Sequence, residues 1–409
     1  MLNGEKYGSG TYIKCAGGYQ AFRPSPLPPE IVFSKSMLRS LSDADHLLGK
    51  LAGEGRAFKN PHLLMRPFIK REAVFSSRIE GTQATLGELL VSDAGVAVDR
   101  SPDDLREVSN YVTALEYGIL RLQKLPLSLR LVLELHEKLM QGVRGEHATP
   151  GEFRRSQNWI GTPGCTLLNA SYVPPPVTEL MSCLADWETF LHDRSLPSLI
   201  QAAMLHSQFE AIHPFLDGNG RVGRLMITLF LIERNILPTP LLYLSAFFEA
   251  TRSDYYDRLA GVTHRGAWIE WIEYFLNGIA RMSEDALSRA ERINNLLIKW
   301  RQAATGRSKV PLKILDMIEE NPYCTLRHIS EKLDLAFSTA QRGVDKLTEL
   351  GVLKQIDSAK RNRVYCAQGM MNILDEPPAF IARMNTHILP DSGKPERILI
   401  TASPERSQL

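Results

Sequence analysis

One stretch constrains this chain more than any other: His206-Ser-Gln-Phe-Glu-Ala-Ile-His213-Pro-Phe-Leu-Asp217-Gly-Asn-Gly-Arg221-Val-Gly-Arg224. Upstream, Leu199, Ala203, Phe209 and Ile212 recur near helical spacing, and Pro214 predicts the end of that helix because a helical conformation is disfavoured just before proline. Downstream, Leu225 to Ile236 is apolar enough for a buried helix that starts at about Gly220. Between the two, Gly218 and Gly220 permit backbone angles that side chains forbid, so successive N–H groups can point at one spot and cradle an anion. The positive end of the second helix adds to that spot, and Arg221 and Arg224, three residues apart, are expected on the same side of its first turn. Phosphate oxygens fit such a place. Asp217 supplies one hard oxygen, and Mg²⁺ commonly takes only one or two protein carboxylates when substrate phosphates and waters complete its shell. His213, at the mouth, is a candidate base for an attacking hydroxyl. A lone Gly-Asn-Gly is usually a turn and a lone helix-end histidine is usually structural. Their combination within twelve residues carries the reading.

The segment His213-Pro-Phe-Leu-Asp-Gly-Asn-Gly-Arg-Val-Gly-Arg224 is similar throughout to the signature of the Fic family, whose members mostly transfer AMP from ATP to protein hydroxyls. The resemblance implies a mainly α fold, a Fic all-helical core with a β-hairpin flap. It also implies roles: His213 as the base, Asp217 as the Mg²⁺ ligand, and Gly218, Asn219, Gly220, Arg221 and Arg224 as nucleotide-binding groups for ATP. A second segment, Phe75-Ser-Ser-Arg-Ile-Glu80-Gly81, reads on its residues as a solvated helix end, with Gly81 as the stop and Ser76 and Glu80 four residues apart on one face. It resembles the inhibitory motif of Fic proteins, carried by Ser76, Glu80 and Gly81. That resemblance implies that Glu80 pairs with Arg224 and allows ATP to settle in a nonproductive pose, with no separate antitoxin required.

Residues 1–30 end in Arg23-Pro-Ser-Pro-Leu-Pro-Pro29, which predicts an extended N-terminal arm. Residues 31–104 turn helical, with Leu38, Leu41, Leu47, Leu48 and Leu51, then Leu63, Leu64, Phe68 and Phe75, at mixed three and four spacings. The core expected from the resemblance covers 105–282. Within it, His136 sits beside leucines and reads as a buried, hydrogen-bonded side chain. Pro150 to Val173, broken by a Pro-Gly turn and closed by Pro174-Pro-Pro176, reads as a hairpin. In the Fic family this place holds a flap that takes the target protein as an added strand. Asn158, Trp159, Ile160 and Gly161 line up with flap residues that also cover the nucleotide, although Trp159 packing inward explains that residue equally. Tyr255 and Tyr256 resemble the family's pair near the adenine ring, with core packing as the competing explanation. A helix from about Trp268 to Arg301, broken near Gly278, and a linker through Ser308 fill 283–309.

Residues 310–368 show three short helical patterns and a hairpin, which resembles a winged helix-turn-helix. Arg342 and Lys346 on the third helix, and Lys360, Arg361 and Arg363 on the wing, suit phosphate contact with DNA. Winged helices also dock proteins or join two copies of a chain, so DNA binding, protein docking and a homodimer all stay open. Net charge gives no help, because 48 basic against 46 acidic residues leave only +2. Residues 369–409 are rich in proline and polar groups and read as a tail. The scattered cysteines, Cys15, Cys165, Cys183, Cys324 and Cys366, lack metal spacing and predict reduced thiols in a cytoplasmic protein; no apolar run suggests a membrane span or signal peptide. The leading expectation is a protein adenylyltransferase acting on Ser, Thr or Tyr hydroxyls. The alternatives are a hydrolase that removes AMP at the same site, with Glu80 positioning water, use of another phosphate donor, or a DNA-binding regulator.

Overall fold

Strands open the chain: β1 (Lys6–Tyr7), β2 (Gly10–Lys14) and β3 (Gln20–Pro24) pair antiparallel in that order, with Tyr12 opposite Phe22. The computed structural model describes residues 6–7, 9–57, 61–98, 101–143, 149–162, 164–356 and 363–381. The extended arm expected for residues 1–30 is therefore largely a small sheet. Thr11, Tyr12 and Ile13 favour a pleated surface, Gly18 turns the chain at φ 81°, and pairing runs through to Pro24, opposite Gly10. Arg23 pairs with Glu179 at 3.0 Å, and the Ser9 hydroxyl donates to the Val262 carbonyl at 2.6 Å, so the sheet is tied to the helices.

Those helices run α1 (Lys35–Ala57), α2 (Pro61–Ile79), α3 (Leu86–Asp93), α4 (Pro102–Arg121) and α5 (Leu129–Leu139). After a long loop come α6 (Val177–Leu191), α7 (Ser198–Ile212), α8 (Asn219–Glu233), α9 (Ser245–Ala250), α10 (Arg252–Arg265) and α11 (Trp268–Ala304). The core sits around α7 and α8. Every residue from Leu199 to Phe209 and from Arg221 to Leu231 is buried, as expected for helices that are covered on all faces. α6 and α11 pack on α7, while α4 and α5 pack on α8. Trp187 and Trp271 fill the gaps and donate their indole N–H groups to the carbonyls of Leu205 (3.0 Å) and Ala203 (2.8 Å). Burial of each such side chain contributes roughly 1.5–3 kcal/mol, and the loop between α7 and α8 is thereby held between two immobile helices.

The break expected in α11 near Gly278 is absent. A Cβ at that position would lie 2.6 Å from Cδ1 of Phe247, so the glycine serves close packing and the helix continues through it. Among the described residues, no helix is long and apolar enough to cross a membrane.

The C-terminal part follows as α12 (Val310–Glu320), β4 (Tyr323–Thr325), α13 (Leu326–Leu333), α14 (Phe337–Glu349), β5 (Lys354–Gln355) and β6 (Val364–Cys366). The sheet order β4-β6-β5 beside these helices makes a winged helix. Thr325 caps α13 by accepting from His328 N at 3.1 Å. The unit rests on the N-terminal helices: Asn321 donates to the Leu90 carbonyl at 2.9 Å, and α12 packs against α2. Arg342 and Lys346 are exposed on α14 and Arg363 is half-buried, while Lys360 and Arg361 lie outside the described residues. The tail expected from 369 begins later, because Met370, Met371, Ile373 and Leu374 bury one face of α15 (Gln368–Asp375). Arg292 then holds Glu376 through a fork of 2.6 and 2.7 Å. The described residues up to Glu376 form one compact unit.

Candidate active site

His213 ends α7 in a left-handed conformation, φ 48° and ψ 62°, which is uncommon for a residue with a side chain. Pro214 closes off the helical alternative. What holds the strained residue is its carbonyl, which accepts from Arg154 Nε at 3.0 Å and from Asn158 Nδ2 at 3.2 Å. The next turn is fixed by Asn219. Its Oδ1 accepts from Phe215 N and its Nδ2 donates to Phe215 O, both at 2.8 Å. The expectation that the Asn219 side chain holds the anion is thus corrected: both ends of the amide are engaged in shaping the loop. What Asn219 offers an anion is the first main-chain N–H of α8, one of the groups that lack an intrahelical acceptor. Gly218, at φ 81°, precedes it, and a Cβ there would come within 2.9 Å of Met140 Sδ.

His136 is buried, as its leucine neighbours suggest. It stacks on Phe215 at 3.7 Å, donates from Nε2 to the Asp217 carbonyl at 3.0 Å, and accepts from Gly151 N at 2.9 Å through Nδ1. Burial lowers its pKa to about 4, which suits this fixed neutral form.

The His213 ring is half-buried, and its Nδ1 donates to the Glu210 carbonyl at 3.2 Å. A carbonyl only accepts, so the proton sits on Nδ1 and Nε2 keeps a lone pair. Desolvation brings the pKa to about 4, against smaller opposing effects from the Glu210 carbonyl, Glu80 and Asp217 and with help from the charge of Arg154. The group is a neutral base at physiological pH. Asp217 is half-exposed; its Oδ1 accepts from Gly218 N at 2.6 Å and lies 3.5 Å from Arg221 Nη2. A single carboxylate at a helix N-terminus fits Mg²⁺ only in the manner in which phosphates and waters supply the other ligands, since among the described residues no group of three or more His, Cys, Asp or Glu could hold a metal ion.

The two arginines expected on one side of the turn diverge. Arg221 turns to α4 and α5, with Nη1 3.5 Å from Glu107 Oε2 and Nη2 donating to Met140 Sδ at 3.7 Å. It is 4% exposed, yet among the described residues its Nε and Nη1 have no hydrogen-bond partner. Arg224 turns to the end of α2, where Nε donates to Ser76 Oγ at 2.9 Å. Its Nη2 donates to the Ser76 carbonyl at 3.0 Å and to Glu80 Oε1 at 2.6 Å. Burial opposes the charge on Arg224, and Glu80 more than restores it, raising the pKa. Desolvation likewise opposes the charge on Glu80, and Arg224 outweighs it, lowering the pKa. Gly81 takes φ 102° just past α2 and lets the chain turn there. Gly220 gives Glu80 its room: a Cβ on it would lie 2.3 Å from Glu80 Oε1.

The hairpin expected for the flap is reduced to a single antiparallel bridge, Ile160 with Tyr172, because a local turn, Thr166 N to Asn169 Oδ1, and the donor-free prolines from Pro174 stop further pairing. Trp159 and Ile160 are 41% and 42% exposed. Trp159 does not pack inward; its Nε1 donates to the Cys165 carbonyl at 3.2 Å. Gly161 is required by the tight turn, since a Cβ would lie 2.5 Å from Cys165 Sγ. Of the tyrosine pair, only Tyr256 offers an open face. Tyr255 is 1% exposed, stacks on Phe248 and bonds His206 Nε2 at 2.8 Å, which makes it a core residue and corrects its reading as a nucleotide contact.

Residues 38–120 match the Fic/DOC family N-terminal description, and residues 126–231, which contain the whole His213–Arg224 loop, match the Fic/DOC family. The chain carries a Fic N-terminal and a Fic domain. Residues 307–354 match a winged helix-turn-helix DNA-binding family. "Protein adenylyltransferase Fic" of Drosophila virilis is 33% identical over 180 residues, which span 41% of this chain and 35% of that protein. Its counterpart in Drosophila willistoni is 32% identical over the same length, 34% of that protein. The chain spans about a third of the length of these curated relatives. A solved Fic family protein from Desulfovibrio desulfuricans G20 has the same fold, with a TM-score of 0.57 over 83% of this chain and 98% of that one, at 20% identity.

Around the Fic loop, sequence reasoning missed Arg154 as the clamp on His213 and Glu107 as the carboxylate that faces Arg221 while also accepting from Thr82 Oγ1 at 2.7 Å. Neither has a periodic or spacing signal. Arg154 is a lone cation in a loop and Glu107 an ordinary helix carboxylate. Only the convergence of distant segments gives them meaning.

Proposed function

We propose that this Fic protein is a protein adenylyltransferase that moves AMP from ATP to a Ser, Thr or Tyr hydroxyl of a target protein. The observation that supports it most is Arg221, a buried guanidinium with two N–H groups unsatisfied among the described residues, beside the free N-terminus of α8 and a neutral His213. Buried donors of this kind call for an anion. In the reaction, Nε2 of His213 takes the hydroxyl proton, the oxygen bonds to the α-phosphorus, and the bond to the β-phosphate breaks to release pyrophosphate. Arg221 and the α8 N–H groups hold the phosphates, and Asp217 would hold Mg²⁺, whose charge offsets that of the phosphates when bound. The exposed edge at Trp159 and Ile160 suits a target segment added as a strand. Glu80 restrains the enzyme by keeping Arg224 from the phosphates.

The test uses ATP labelled on the α-phosphate. His213→Ala abolishes target labelling in a lysate. Glu80→Gly raises it about tenfold, because a charge-assisted bond at a partly exposed carboxylate is worth about 1–1.5 kcal/mol. Equal labelling by wild type and Glu80→Gly removes the self-inhibition from the proposal. A second reading, DNA binding, is favoured by the exposed Arg342 and Lys346 on α14. Gel shifts with DNA upstream of the protein's own gene test it: a complex that weakens steeply with salt supports it, and no complex at low salt leaves α12–α14 as a protein-docking unit.

A further inference from the structure

Arg71, Phe75 and Arg78 form a stripe along α2 at spacings of four and three, on a different face from Ser76 and Glu80. They line a cavity of about 370 Å³ whose wall also includes Thr85 and Asp375. Arg71 is 2% exposed. Its guanidinium lies 5.1 Å from the centre of the Phe75 ring and 5.0 Å from that of Tyr243, and its Nη2 donates to the Glu376 carbonyl at 3.0 Å. Among the described residues its Nε has no partner, and no carboxylate hydrogen-bonds the group. Burial and the like charge of Arg289 both pull its pKa down, with Tyr243, Asp285 and Asp375 opposing. Arg78 approaches the same Phe75 ring from 5.6 Å, and its Nε donates to the Ala84 carbonyl at 3.2 Å. Asp375 stands on the wall, where burial raises its pKa and the charges of Arg71, Arg78 and Arg289 oppose that rise.

A buried cation is ordinarily paired, because leaving it without a counter-ion opposes folding. Here two guanidiniums share one aromatic ring and one cavity, and the deeper of them meets carboxylate charge, from Asp285 and Asp375, without a hydrogen bond to either. The cavity is in the size range of small-molecule sites. Guanidinium forks match the oxygens of phosphate, and two of them can hold one phosphate from two directions. We propose that this cavity binds a small phosphorylated molecule, with the phosphate between Arg71 and Arg78 and hydroxyl or amine donors of the ligand turned to Asp375. The site is separate from the α8 cradle and does not depend on the catalytic reading.

Calorimetric titration of the full chain tests it, with ribose 5-phosphate, inorganic phosphate and succinate as probes. Ribose 5-phosphate binds the wild type. Arg78→Ala and Arg71→Gln each weaken it about tenfold or more, and Arg221→Ala, which alters only the α8 cradle, leaves it unchanged. Equal affinity for inorganic phosphate supports the site and assigns it to the free ion, whereas a preference for ribose 5-phosphate assigns it to a phosphorylated metabolite. Absence of binding to both, equal binding of succinate, or affinity that survives Arg78→Ala and falls with Arg221→Ala overturns the proposal. Arg78 is half-buried, so its variant keeps the test decisive even where Arg71→Gln does not fold.

Discussion

Substitution of Arg154 separates two effects of one side chain on the base. Arg154 is 2% exposed and donates to three carbonyls: His213 at 3.0 Å, Pro175 at 2.6 Å and Ser156 at 3.4 Å. It ties the flap to the left-handed residue that carries the base, and its charge is one reason the His213 pKa is low, after desolvation. Arg154→Lys keeps the charge, but a point ammonium cannot serve three carbonyls that lie in different directions. Each lost charge-assisted bond is worth roughly 1.5–3 kcal/mol to the folded loop. Loosening of this kind lowers kcat about a hundredfold where the displacement reaches an ångström, although Asn158 still bonds the His213 carbonyl. Arg154→Gln keeps some bonding and removes the charge.

The sign of the pH effect follows directly. On the proposed reaction His213 is a neutral base, so activity is expected above its pKa of about 4 and is lost as pH falls through it. The other charges near the ring, Glu80 and Asp217, favour the protonated form, and the Glu210 carbonyl does so as well. Removing the opposing Arg154 charge therefore moves the pKa upward toward the ordinary histidine value, and the acid limb of kcat/KM moves with it in Arg154→Gln but not in Arg154→Lys. The assay is AMP transfer followed across pH, with NMR titration of the His213 ring protons as a direct check. Coincident titration curves for Arg154→Gln and wild type would falsify the electrostatic role; an unchanged kcat in both variants refutes the positioning role.

Gly220→Ala places a methyl group where Glu80 Oε1 now lies 2.3 Å away and Arg224 Nη1 2.9 Å away, so the flexible carboxylate must swing out. Labelling from α-phosphate-labelled ATP is expected to rise, though less than in Glu80→Gly because Arg224 is crowded too; labelling below wild type counts against the Glu80 restraint. Gly278→Ala drives a Cβ to 2.6 Å from the Phe247 ring and 3.2 Å from Leu244 Cδ1. Overpacking costs about 1–3 kcal/mol, only partly offset by the better helix former, so calorimetry should show a Tm lower by a few degrees. A raised Tm contradicts the close-packing account of that glycine.

Local chemistry was legible in the chain, and distant convergence was not. Pro214, Gly218 and Gly81 announce where backbone direction changes, because their conformational limits act within one or two residues; α7, α8 and the end of α2 have boundaries near those marks. The sheet at residues 6–24 was hidden because its strands are short and gain their burial from helices far along the chain, as Ser9 does from Val262. α15 was hidden for the same reason, since its apolar face has meaning only against α11 and α3. Tyr255 was ambiguous because an aromatic ring is equally suited to a purine and to a core, and only its bond to His206 decides.

The arginines carry this furthest, because four identical side chains meet three different ends. Arg224 has a carboxylate at 2.6 Å, so its charge is answered within the chain. Arg154 is held by a carbonyl on each of its three nitrogens, which makes it a clamp. Arg221 and Arg71 are as buried as the other two, yet among the described residues each keeps a donor with no hydrogen-bond partner. Burial removes water as a substitute, and on the two proposals above the oxygens of a ligand supplement the carboxylates that face Arg221 and Arg71 at longer range. One lies at the head of α8 and the other behind α2, whose end also presents Glu80 to Arg224. A single helix thus separates the two anion sites, which is why substitutions at Arg221 and at Arg78 distinguish them.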